Sequence, residues 1–392
     1  MNNVKQIYLD NSATTKICDE ALEKYNTVSR EIFGNPSSLH SLGLLAEKEL
    51  DAAREALLSS LGERDSAVVF TASGSEANNL AIVGRALAKE RFKRGAKIIT
   101  TKGEHASVYA PIENLKKMGF KTAEIPTVNG KIDTDALLSE LTPDVILVSF
   151  MMVNNETGAL YDLATASKLI KARCPEALFH VDATQSYMKV KFTKRSVGAD
   201  MITVSSHKIE GPKGVGALVI NKKVLKSQGL APIILGGGQE DGLRSGTENV
   251  PAVAAFGEAI RAGVKSLDAN IEKMNELREY LIEKIRSTDG LSEISMTLPE
   301  SHAPHILNIT MPKIKSESVL HYLSSLGIFV SSGSACSSNS NHTSSALTAY
   351  GKTADEADSS IRISLSPRNE KEDIDALAEG LLSAITKLAR KK

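Results

Sequence analysis

The chain has 392 residues, hydrophobic residues make up 42%, and Lys+Arg and Asp+Glu both number 47. That length is too great for one small core and predicts a large domain with a smaller companion. Neutral balance argues against direct nucleic-acid binding, and no apolar run is long enough to cross a membrane.

In chain order, residues 1–10 lack the apolar run of a signal peptide. Short apolar runs at 67–70, 97–100, 144–149, 177–182, 200–205 and 216–220 predict strands. Between them lie helical patterns, one beginning near Ala77 and another at 163–173. Continuous rather than alternating apolarity fits strands covered on both faces, so an α/β fold with a mostly parallel sheet is expected. A long helical run at 250–285 leads to further strands expected at 305–310, 328–330 and 360–364. His302 and His305, which flank Ala303 and Pro304, read as a loop entering a strand, since no third ligand is near in sequence. A last helix, 370–389, places Ile374, Leu377, Leu381 and Leu382 on one side. We expect a large α/β domain over 15–255 and a smaller α+β domain over 256–392 that includes 1–14.

Several strand ends carry residues suited to an aldehyde cofactor. Lys208 follows Ser205, Ser206 and His207 at a strand's carboxyl end, the edge where α/β sheets bind ligands. A lysine there can form a Schiff base when its surroundings lower its pKa; a plain surface lysine is the competing reading. Lys213, between Pro212 and Gly214, reads as a loop residue. Asp182 ends another strand and could keep a pyridine nitrogen protonated, or simply cap a helix. Ser73, Gly74 and Ser75 turn a strand into a helix whose free N–H groups suit a phosphate. His105 follows the next strand and could lie over a flat ring, and Asn155 could reach a phenolic oxygen, although Asn154 and Asn155 also suit a turn.

The three cysteines, Cys18, Cys174 and Cys336, are far apart and odd in number, which favours free thiols in a reducing cytosol over a disulfide framework. No C-x-x-C pair is present, so no metal site is expected. Cys336 stands in a run of small residues, Ser331, Ser332, Gly333, Ser334 and Ala335, where a thiol can be approached by a substrate.

Taken in order, these motifs resemble the cysteine desulfurases, pyridoxal 5′-phosphate (PLP) enzymes of the class V aminotransferase group with fold type I. The resemblance runs from Tyr8, Leu9 and Asp10 through the 33–40 segment, the strand ends above, the 236–247 segment, the Cys336 run and the strand bearing Arg362. It implies that Lys208 carries PLP, Asp182 pairs with its ring nitrogen and His105 stacks on the ring. Asn155 and Gln185 would meet its oxygen side, while Gly74, Ser75, Ser205 and His207 hold the phosphate. Thr247 would join them from the other subunit of a homodimer. Arg362, with Asn35 nearby, would grip the carboxylate of L-cysteine through a bidentate pair. Cys336 would take the sulfur as a persulfide and pass it to an acceptor, an iron–sulfur scaffold or a tRNA-thiolating enzyme. Ser75 stands where relatives often carry Thr, and a polar run follows Cys336. A selenocysteine lyase or a PLP aminotransferase on the same scaffold is the alternative, and an idle sulfur-assembly scaffold is the non-enzymatic one.

Overall fold

The computed structural model describes residues 5–88, 95–332 and 344–388. A seven-stranded sheet forms its centre, in the spatial order Ser66–Thr71, Gly216–Asn221, Met201–Ser205, Leu178–Asp182, Val145–Met151, Lys97–Thr101 and Lys121–Ile125. The four pairings from Met201–Ser205 to Lys121–Ile125 are parallel. Gly216–Asn221 runs antiparallel to both neighbours. The connection from Ser205 to Gly216 is too short for a helical crossover, so the chain turns back on itself. The expected strands all form, with ends that differ by one or two residues. Lys121–Ile125 was not foreseen, because its partly exposed, polar sequence is that of a sheet edge.

Apolar side chains cover both faces of this sheet, as continuous strand apolarity requires. One cluster joins Val148, Phe150, Phe179, Val181 and Ile202 to the helices Asp19–Glu31 and Ser41–Ser60. The other joins Val69, Ile98, Leu147 and Leu218 to Gly74–Ala88 and Ala106–Lys117. The helix Val250–Ser287 spans two cores. Its first turns, through Ile260, belong to the first cluster, and Leu277, Leu281, Ile282 and Ile285 belong to a separate one.

That separate core packs against a four-stranded sheet in the order Ser295–Thr297, Ile306–Thr310, Ser360–Ser364 and Ser331–Ser332. The amphipathic helix Lys371–Leu388 covers it with Ile374, Leu377 and Leu381. Ile7 and Leu9 join the same core, and Ile7–Tyr8 pairs in parallel with Ile328–Phe329. The N-terminus is thereby laid across the smaller sheet, and Asp10 bridges to Ser364. Among the described residues, no helix is long and apolar enough to cross a membrane.

Close backbone approach sets the geometry where the antiparallel strand begins. A Cβ at Gly216 would lie 2.5 Å from the Ser73 carbonyl carbon and 2.7 Å from the Gly74 nitrogen, both rigid backbone atoms. Gly216→Ala is expected to destabilise the protein by about 1–3 kcal/mol, the usual cost of forced overpacking. Urea unfolding of the two proteins checks this, with the midpoint falling and the slope unchanged.

Candidate active site

The carboxyl ends of the parallel strands open onto a cavity of about 410 Å³. Gly74, Ser75, His105, Asn155, Asp182, Gln185, Ser205, His207, Lys208 and Arg362 all line it. These residues come from six separate stretches of chain: five follow or end a strand, or open a helix, at one edge of the large sheet, and Arg362 comes from a strand of the smaller sheet. Asn35 and Thr247 are exposed and do not line the cavity. Lys213 is an exposed loop residue outside it. Cys336 lies outside the described residues, although Ser331 and Ser332, just before it, line the cavity wall.

At one end of the cavity, the helix Gly74–Ala88 points its N-terminus inward. Gly74 is packed so tightly that a Cβ would lie 3.1 Å from the Ser205 Cβ and 3.3 Å from the Thr184 hydroxyl. The Ser205 hydroxyl beside it is buried with no hydrogen-bond partner among the described residues. An orphaned donor, free helix N–H groups and a cradle that a side chain would fill form a natural anion seat. His207 adds its ring, which burial and then Lys208 push down to about 4, so the imidazole is neutral at pH 7.

Asp182 sits deeper, held by two N–H donors. Asn78 Nδ2 donates to its Oδ2 at 2.8 Å, and the Thr184 N–H donates to its Oδ1 at 2.9 Å. Asn78 lies one turn into the helix that begins at Gly74, so one element builds the anion seat and braces the carboxylate. Asn78 also donates to the Ser107 hydroxyl at 2.9 Å.

His105 is the N-cap of Ala106–Lys117, and its Nδ1 accepts the Ser107 N–H at 3.2 Å. His105 thus caps a helix and lines the cavity at once. An accepting Nδ1 puts the proton of the neutral ring on Nε2. Burial lowers the His105 pKa against the opposing pull of Asp182, favouring that neutral form.

Lys208 donates from Nζ to the carbonyls of Ser12 and Ala13, the latter at 2.9 Å. Gln185 Nε2 donates to the same Ser12 carbonyl at 2.9 Å. Opposite them, Arg362 donates from Nη1 to the Asn155 carbonyl at 2.8 Å and from Nη2 to Asp10 Oδ1 at 2.9 Å. Its Nε is buried without a partner among the described residues, which fits a site built to receive a carboxylate.

Several contributors were not singled out from sequence. Asn78 had a signal in its one-turn spacing from Gly74, and Asp10 stood in a motif already noted. Glu104 had none beyond its place before His105. Its carboxyl accepts the Thr101 hydroxyl at 2.5 Å and the Met151 N–H at 2.9 Å, and it is fully buried. Burial pushes its pKa up to about 8. Glu156, a cavity-lining residue after Asn155, is pushed by burial up to about 7.

Comparison with known proteins agrees with this geometry. The chain matches the Aminotransferase class-V family over residues 7–377. It is 36% identical to "Cysteine desulfurase IscS" of Dictyoglomus turgidum, over 98% of this chain and 95% of that one. The chain belongs to the cysteine desulfurases of the class-V aminotransferase family. Among solved structures, "NIFS-LIKE PROTEIN" superposes with a TM-score of 0.89 at 32% identity, covering 97% of this chain and all of that one. "SspA in complex with cysteine" gives 0.78 at 30% identity, covering 93% of this chain and 100% of that one. The family's fold is the one described above, a mixed but mostly parallel large sheet in a fold-type-I PLP enzyme architecture.

The buried Glu104 carboxyl has a consequence for stability. Its pKa is raised from an ordinary 4.5 to about 8 on folding, so the folded protein holds a proton that the unfolded chain releases. That stabilisation is complete below pH 4.5 and is lost as pH rises through 8, on the order of a few kcal/mol in all. Glu104→Gln should flatten this part of the slope, as read by denaturant unfolding of both proteins between pH 5 and pH 8.

Proposed function

We propose that this chain is a PLP-dependent cysteine desulfurase that moves the sulfur of L-cysteine to Cys336 and releases L-alanine. The observation that carries the reading is the convergence of Lys208, Asp182, the Gly74–Ser75 turn and Arg362 on one cavity. Ser332 lines that cavity, and the four residues from it to Cys336 reach at most about 14 Å.

The residues fit the cofactor. Lys208 would tether it, Asp182 would pair with its ring nitrogen, and Gly74, Ser75, Ser205 and His207 would hold its phosphate. His105 would lie over its ring, and Asn155 and Gln185 would meet its oxygen side. When bound, PLP supplies an electron sink for the carbon skeleton of the substrate. The protein's own groups do the rest. Arg362 binds the substrate carboxylate with its guanidinium already aimed by Asn155 and Asp10. Lys208 moves the proton at the substrate α-carbon, steadied by the Ser12 and Ala13 carbonyls. Neutral His105 would present its Nε2–H to the sulfur as a hydrogen-bond donor. In the net step the Cβ–S bond of cysteine breaks and an S–S bond forms at Cys336. The carbon skeleton keeps the electron pair and takes a proton to become alanine, so thiol plus cysteine gives persulfide plus alanine.

We propose a homodimer in which Thr247 completes the phosphate seat of a second copy. The exposed apolar side chains of Phe33, Leu39 and Leu235 support a surface that a second copy would cover. The smaller domain, 256–392 with 1–14, would bring Arg362 and Cys336 to the cofactor, and Asn35 would approach the substrate carboxylate. Cys18 and Cys174 are free thiols, which supports a reducing cytoplasm. The sulfur would go on to a protein acceptor, an iron–sulfur scaffold or a tRNA-thiolating enzyme.

Two experiments test the reading. Purified protein should be yellow; Lys208→Ala should lose that absorption, whereas Cys336→Ala should keep it and form no persulfide. Normal release of alanine and sulfide by Cys336→Ala would overturn the role of the thiol. Separately, Arg362→Gln should weaken cysteine binding by about 10- to 100-fold, as expected for losing hydrogen bonds to a charged group, with cofactor absorption retained. Spectral titration with cysteine reads this directly.

A further inference from the structure

The helix Ser345–Tyr350 is held by the walls of the site in a way that the scheme above does not use. Ser344 is its N-cap, accepting the Leu347 N–H at 3.1 Å and donating its own hydroxyl to Glu156 Oε2 at 2.5 Å. Glu156 follows Asn155 and lines the cavity. From the other side, Gly103, two residues before His105, takes φ +91°, and a Cβ there would lie 2.9 Å from the Ala346 Cα. Asn154 ties these two walls together. Its Nδ2 donates to the Gly103 carbonyl at 3.2 Å, while its Oδ1 accepts the N–H groups of Glu156 and Thr157 at 3.0 and 2.8 Å.

The loop bearing His105 and the loop bearing Asn155 thus grip one helix end. That end begins eight residues after Cys336, while Ser331–Ser332, on the other side of Cys336, pairs with the strand of Arg362. A chain segment tied at both ends searches less space than one tied at a single end, and productive encounters rise accordingly. We propose that Glu156 is a positioning residue which, through Ser344, fixes the chain beyond Cys336 to the site wall, so that sulfur transfer to this thiol depends on it while cysteine capture does not. The inference rests on the reading of Cys336 as sulfur acceptor.

The test uses the full-length holoenzyme and two separate readouts. One is the spectral titration with cysteine, and the other is the single-turnover rate of persulfide formation on Cys336, followed by thiol labelling and mass. Glu156→Ala and Ser344→Ala should each slow persulfide formation by about tenfold and change cysteine affinity by less than about twofold. The double variant should be no slower than the slower single one, because the two residues act through one hydrogen bond. Glu156→Gln, which still offers an acceptor to Ser344, should recover most of the rate. Glu156→Asp, one methylene too short, should behave like the alanine variant and decides the matter if that variant does not fold. Additive losses, an unchanged persulfide rate, or an equal loss of cysteine affinity would overturn the proposal. Wild-type protein that binds cysteine yet never labels Cys336 would overturn the functional reading, and this inference with it.

Discussion

The approach of the Gly216 backbone to the Ser73–Gly74 peptide, and of Gly74 to the Ser205 side chain, is the constraint on which the site depends. Gly216 lets the antiparallel strand press against the Ser73–Gly74 peptide, and Gly74 lets the helix start press against Ser205. Any side chain at either glycine would push the helix N-terminus away from the strand ends. Because Asn78 lies one turn further along the same helix, the displacement would also draw its amide from the Asp182 carboxylate. The anion seat and the brace on Asp182 are therefore both set by where this one helix begins.

Around that contact the protein leaves polar atoms buried and unmatched. Ser12 Oγ, Gln185 Oε1, Ser205 Oγ and Arg362 Nε have no hydrogen-bond partner among the described residues. Unmade hydrogen bonds in a closed site are costly, at about 1–3 kcal/mol for each buried group. A polar ligand bearing a phosphate, a ring oxygen and a carboxylate would meet groups of this kind. A ligand that meets these groups stabilises the folded protein by mass action.

Much of this was legible in the sequence, for physical reasons that differ from residue to residue. Strand ends could be read because fully covered strands are continuously apolar, and Lys208, Asp182 and His105 each follow such a run. The direction of Gly216–Asn221 was not read, although the short link from Ser205 could have revealed it. Asn78 escaped because an asparagine inside a helix carries no mark of what it faces, and only its spacing from Gly74 hints at it. Glu104 and Glu156 escaped because burial, which raises both their pKa values, is a property of the fold alone. Asn35 and Thr247 came from family resemblance and lie exposed outside the cavity, where the geometry of one chain gives them no ligand to hold. Cys336, the most conspicuous thiol in the sequence, lies outside the described residues.

The N-terminal segment shows why a site in the larger sheet needs the far end of the chain. The Ser12 carbonyl accepts from both Lys208 and Gln185, and Asp10 holds the guanidinium of Arg362. The same few residues are pinned to the smaller core by Leu9 and by the Asn11 amide, which donates to the Ser364 carbonyl at 2.9 Å. Residues 9–13 therefore join the Lys208 amine to the Arg362 guanidinium. A shift of the smaller core relative to the sheet would change both contacts at once, because one short stretch of backbone carries them. The positions of the Lys208 amine and the Arg362 guanidinium are in this way mechanically coupled through one short stretch of backbone.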